Sequence, residues 1–114
     1  MDKKILIKKM KEFIPVKEKE LNEKSVYIEN MSFAALRDSL IGLGTILDED
    51  FDANSYVVNV PAGIANKNSA VVAVQLKESE LFLLGFAKEG LISQHTAEKA
   101  IEKVIKKVSK YVKK

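Results

Sequence analysis

Asp48, Asp50, Asp52 and Asn54 alternate along the chain as the first ligands of a calcium-binding loop do. Such a loop needs Gly at its sixth position and a bidentate Glu at its twelfth. Counted from Asp48 those places hold Ala53 and Asn59, and counted from Asp50 they hold Ser55 and Pro61. The stretch therefore reads as an acidic surface turn, and no metal site is expected. Gly42-Leu43-Gly44 is a fragment of a nucleotide fingerprint, but Leu47 stands where the third Gly belongs. These glycines follow a helical stretch instead of opening one, so helix termination is the expected reason for them.

His95 is the only histidine. A general base needs an orienting partner and a substrate or nucleophile within reach, and nothing in the spacing supplies either. The sequence places His95 in the first turn of a last helix, where the positive end of the helix dipole disfavours imidazolium. A pocket joining His95 to two carboxylates would restore a catalytic reading. There are no cysteines, which excludes disulfides, thiolate zinc sites and thiol nucleophiles. The serines follow no G-x-S-x-G pattern. Neither catalytic residue nor cofactor is expected.

Lys103, Lys106, Lys107 and Lys110 lie at the spacing of one helix face and are the candidate nucleic-acid contacts. Against that reading, no aromatic residues are interleaved among them to stack on bases. The only arginine is Arg37, whereas specific phosphate and base recognition leans on arginine's planar fork. Charge is polarised along the chain. Residues 1–30 hold eight lysines and six acids, 31–87 hold three basic against seven acidic residues, and 88–114 hold eight lysines against three glutamates.

The elements that would position these residues follow from periodicity. Residues 2–14 read as a helix carrying Leu6, Met10, Phe13 and Ile14 on one face, stopped by Pro15. The charged stretch 17–24 reads as a solvated connection or a further exposed helical turn, followed by the brief β-type run Val26-Tyr27-Ile28. A second helix starts near Ser32, capped by Asn30 or Ser32, with Phe33, Leu36, Leu40 and Leu43 inward. Residues 45–47 would begin the sheet, 48–55 form the acidic turn, and 55–60 alternate cleanly up to Pro61. Residues 61–68 are a turn-rich connection, and Lys88-Glu89-Gly90 breaks the sheet. From a cap at Ser93, the face formed by Ala97, Ala100, Ile101, Val104, Ile105, Val108, Tyr111 and Val112 marks a helix of about 20 residues, spanning about 30 Å.

Residues 69–87 make the strongest structural demand. Val72, Val74 and Leu76 point one way and Val71, Ala73 and Gln75 the other; Leu81 and Leu83 oppose Phe82, Leu84 and Phe86. A strand apolar on both sides must be covered on both faces. The last helix would supply one cover, and the first two helices or a second copy of the chain the other.

The fold class is therefore α+β: two N-terminal helices, an antiparallel meander of three to four strands, and a long C-terminal amphipathic helix packed on the sheet. In outline, a sheet closed by a C-terminal helix resembles the pleckstrin-homology-like superfold, whose seven strands exceed the number read here. The 114 residues make one domain, with residues 1–24 either integral to it or a loosely attached helical arm. The N-terminus reads as neither a secretory signal nor a membrane span, so cytoplasmic residence is expected. The expected function is a small non-catalytic interaction domain, binding a protein partner or a second copy through the sheet edge or the 61–69 loop. Phe82, Leu84, Phe86, Ile64, Asn66, Lys67 and Asn68 are the candidate partner contacts. The alternative is a low-specificity nucleic-acid binder using the lysine-rich terminal helices.

Overall fold

The doubly apolar hairpin is β4 (Ser69–Lys77) and β5 (Glu80–Phe86), paired antiparallel with Val72 opposite Gly85 and Val74 opposite Leu83. In the computed structural model, residues 2–61, 69–88 and 95–113 are described. Around the hairpin stand β1 (Asn22–Tyr27), β2 (Thr45–Asp50) and β3 (Ser55–Pro61), giving one five-stranded antiparallel sheet of order β1-β5-β4-β3-β2. Three α-helices pack on it: α1 (Lys3–Met10), α2 (Phe33–Ile41) and α3 (Thr96–Lys107).

Both faces of the hairpin are covered from within the chain. On one face Tyr56, Val58, Val72, Val74, Leu81 and Leu83 meet Leu36 and Leu40 of α2 and Ala100, Ile101 and Val104 of α3. On the other, Val57, Val71, Ala73, Leu84 and Phe86 meet Leu6, Ile7 and Met10 of α1. α1 is thus packed into the second core through Leu6, Ile7 and Met10. Buried Gln75 ties the start of α1 down: its carboxamide accepts from the Asp2 backbone N–H and donates to the Asp2 carboxylate and the Ala53 carbonyl, at 3.1, 3.1 and 3.0 Å. Every polar position of that side chain has a partner, so its burial is compensated.

Several expectations need correcting. The sheet has five strands, because β1 lies between the first two helices in sequence and pairs with β5, placing Ser25 opposite Phe82. The stretch 17–24 does hold an exposed helical turn, a 3₁₀ turn at Glu18–Glu20, but from Asn22 it belongs to β1. β1 is an edge strand, largely exposed, so backbone pairing holds it without the apolar alternation that marks an inner strand. β2 runs on to Asp50, which shortens the acidic turn to residues 51–54. The first helix unwinds at Lys11 into short-range bonds from Glu12 to Lys9 and from Phe13 to Met10, leaving Phe13 exposed.

The last helix has 12 residues instead of about 20. After Lys107 the chain turns through Ser109–Tyr111 and returns to the end of β1. There Glu29 N–H donates to the Tyr111 carbonyl at 2.7 Å and Lys113 N–H to the Tyr27 carbonyl at 2.8 Å. Five strands in one sheet covered on both faces are also not the pleckstrin-homology-like arrangement. The cap at Ser93, the break at Glu89-Gly90 and the connection 62–68 lie outside the described residues.

Ser32 caps α2 as expected, its hydroxyl accepting from Ala35 N–H at 3.0 Å. The two glycines after α2 do not end it by a left-handed turn, since neither takes a positive φ. Gly44 is required by contact: a Cβ there would overlap the Asn59 carbonyl, whereas a Cβ at Gly42 would meet only the mobile end of Lys107. Gly44→Ala should therefore cost about 1–3 kcal/mol of unfolding free energy and Gly42→Ala less than about 0.5 kcal/mol, measured by urea denaturation. Equal effects at the two positions would contradict the packing described.

Candidate anion-binding groove between α2 and α3

At about 100° per residue, Lys103 and Lys107 fall on the flank of α3 nearer α2 and Glu98 on the opposite flank, while Lys106 and Glu102 stand near the outward crest. Ala97, Ala100, Ile101 and Val104 fill the inward face between them. The lysine flank, continued by Lys110 and Tyr111, forms one wall of an open groove of about 760 Å³. Ala35, Asp38, Ser39 and Leu43, on and just after α2, form the other.

The sequence-derived lysines are thus brought together along one groove. Lys103 Nζ donates to the Pro61 carbonyl at 2.7 Å. Lys107 lies across Gly42 at the C-terminal end of α2, where the helix dipole favours a cation. Lys110 stands 5.2 Å from the Tyr111 ring centroid, in cation–π range. Among the described residues none of the four forms a salt bridge, although Lys3, Lys9, Lys17 and Lys113 all do. Asp38 is the one acid lining the groove, so three positive charges there are in excess. Ala35, Leu43 and Tyr111, partly buried against the larger core, give it an apolar lining. Such a surface would hold an anionic group by its rim and an apolar one by its floor.

The opposite charge gathers on β2 and the turn after it. Asp48 and Asp50 both face Lys9 of α1, at 3.2 and 2.7 Å. The ammonium thus sits between the first two of the alternating residues that resembled a calcium loop. A β-bulge at Leu47 puts Asp48 on the α1 side of the sheet. The Lys9 hydrogen bond, reinforced by Ala53 N–H, lowers the Asp50 pKa, while Asp50 first and then Asp48 raise that of Lys9 against its partial desolvation. Glu49 pairs with Arg37 at 3.4 Å and lies 3.5 Å from the Tyr56 hydroxyl, which also donates to the Phe33 carbonyl at 2.9 Å. Burial first, and then the Glu49 charge, push the Tyr56 phenol up to about 12. The Phe33 ring stacks on Tyr56 at 4.2 Å, and Phe51 meets Phe33 edge-on at 5.2 Å.

His95 is the N-cap residue of α3, at φ 56°, with Nδ1 3.2 Å from the Glu98 carboxylate. Glu20 joins them in lining a cavity of about 200 Å³, so a histidine and two carboxylates do share a depression. That cavity is smaller than the usual ligand range of about 300–1,000 Å³. The His95 and Glu98 side chains are 69% and 58% exposed, so water screens the pair from the low-dielectric surroundings that strengthen acid–base catalysis. Of the expected partner contacts, Leu84 and Phe86 are buried beneath α1 and offer nothing to a partner, Phe82 is half-buried, and Ile64, Asn66, Lys67 and Asn68 lie outside the described residues. Both sheet edges carry charges, Glu23 and Lys24 on β1 and Asp48, Glu49 and Asp50 on bulged β2, features that discourage strand addition. The groove was half legible: its lysine wall could be read from spacing, but the α2 wall depends on a tertiary contact no spacing encodes. Among the described residues, no helix is long and apolar enough to cross a membrane. The chain matches no family model, no curated protein and no solved structure.

The Lys9 pairing carries a pH signature. Asp50, with its folded pKa below the ordinary 3.8, stabilises fully above that value and loses the contribution as pH falls through the lowered one. Lys9, raised above 10.5, stabilises fully below that value and loses the contribution as pH rises through the raised one. The stability difference between the wild-type chain and Lys9→Met, followed by urea denaturation, should be flat between these limits and shrink beyond either. A difference independent of pH into strong acid would show that the ion pairs contribute nothing.

Proposed function

We propose that this chain is a small non-catalytic interaction domain whose α2–α3 groove holds an acidic segment of a protein partner. The observation that carries this reading is the row of four lysines, without carboxylate partners among the described residues, above an apolar floor. Excess positive charge at a concave rim steers an acidic partner and sets the salt dependence of its binding, while apolar contacts supply the anchor. A protein partner fits better than nucleic acid. The groove has no arginine and a single aromatic ring, Tyr111, already engaged by Lys110. Sequence-tolerant strand binding instead uses successive stacking platforms.

The test is fluorescence anisotropy with a labelled glutamate-rich peptide containing one Phe, alongside a labelled oligothymidine. The peptide should bind, losing about tenfold in affinity between about 50 and about 500 mM salt. The double change Lys106→Glu and Lys110→Glu should weaken it at least about tenfold, and His95→Ala should leave it unchanged. Tight oligothymidine binding without peptide binding would overturn the proposal in favour of nucleic acid, and binding of neither would remove the groove as a site.

A further inference from the structure

One surface feature is left without an occupant or a task. Phe51, at the tip of the β2–β3 turn, is 71% exposed, more than any other large apolar side chain among the described residues. It is also held in place. Its ring rests on Phe33, which is stacked on buried Tyr56. The turn below it is closed by Ala53 N–H on the Asp50 carboxylate at 3.1 Å and Asn54 N–H on the Phe51 carbonyl at 3.3 Å. An exposed aromatic ring that is pre-organised loses little conformational freedom on binding, which favours its use as an anchor.

The charges around it are acidic. Asp48, Glu49, Asp50 and Asp52 surround the tip, and Lys9 and Arg37 offset two of them. Two negative charges remain in excess, against three positive charges in the α2–α3 groove. Within one chain the two surfaces do not meet, since Phe51 rests on the first residue of α2 and does not line the groove. We infer that the Phe51-Asp52 tip of one copy seats in the α2–α3 groove of a second copy, Phe51 on the apolar floor and the Asp52 carboxylate among the lysines, while Asp50 stays on Lys9 and holds the turn in shape. This rests on the groove being a site for acidic segments and adds the identity of the segment. The contact is heterologous: knob and groove are different surfaces, so each seated copy leaves one of each for a further contact.

Sedimentation of the full chain tests it. Between about 10 μM and about 1 mM, at low salt, the wild-type mass should rise above the single-chain 12.7 kDa; at about 500 mM salt it should fall back. A knob variant (Phe51→Ser with Asp52→Lys) and a groove variant (Lys106→Glu with Lys110→Glu) should each remain at single-chain mass. All four positions are exposed, so circular dichroism should show both variants folded. Mixed together they should form a species of twice the mass, because the intact knob of one meets the intact groove of the other. Excess peptide spanning residues 48–54 should dissolve the wild-type assembly, which tests the contact without any substitution. A wild-type chain that stays at single-chain mass throughout, or a variant that assembles alone as the wild type does, overturns the inference. If the single chain still binds the glutamate-rich peptide, self-association falls and the groove reading stands; if it binds neither peptide, both fall.

Discussion

A strand with apolar side chains on both sides leaves a chain no choice about its layers. β4 and β5 have that character, so a sheet with one bare face would keep Leu84 and Phe86, or Leu81 and Leu83, in water. At about 1.5–3 kcal/mol for each large side chain fully buried, either face left open would consume much of the margin typical of small domains, about 5–15 kcal/mol. α1 is therefore as necessary to the fold as α3. The charged N-terminal stretch makes it look detachable, but its three buried residues, Leu6, Ile7 and Met10, close the second core.

Where the sequence could be read and where it could not follows from the same physics. The inner strands were legible because burial forces an apolar pattern on them, and Ser32 because capping is local chemistry. Of β1 only the end, Val26-Tyr27, carries a β-type run; Asn22–Ser25 leave no such trace because an edge strand is held by its backbone. The helical period outlasts the C-terminal helix because Val108, Tyr111 and Val112 keep it after Lys107. Val108 is buried in the core at the end of α3, while Tyr111 and Val112 reach its margin by a 3₁₀ turn and a return to Ile28. The groove depends on α2 and α3 lying side by side, and Phe51 stands out only once the residues around it are known to be covered.

The net charge of +3 conceals a division more informative than its size. Lys9 and Arg37 reach from helices to β2 and offset part of its acidity, so the aspartates there serve packing as well as surface charge. The lysines of α3 receive no such compensation among the described residues. An acidic pole is tied into the fold and a basic pole is left open, and recognition has more to work with at the open one.

The pairing of β1 with β5 also bears on how the molecule comes into being. The strand that pairs with residues 22–27 is 80–85, far along the chain. During synthesis β1 has no such neighbour until those residues have emerged. Nucleation then falls to the sequential hairpins β2–β3–β4–β5, whose partners are close along the chain. The β1–β5 pairing is a long-range closure, and closures of that kind slow folding relative to sequential hairpins.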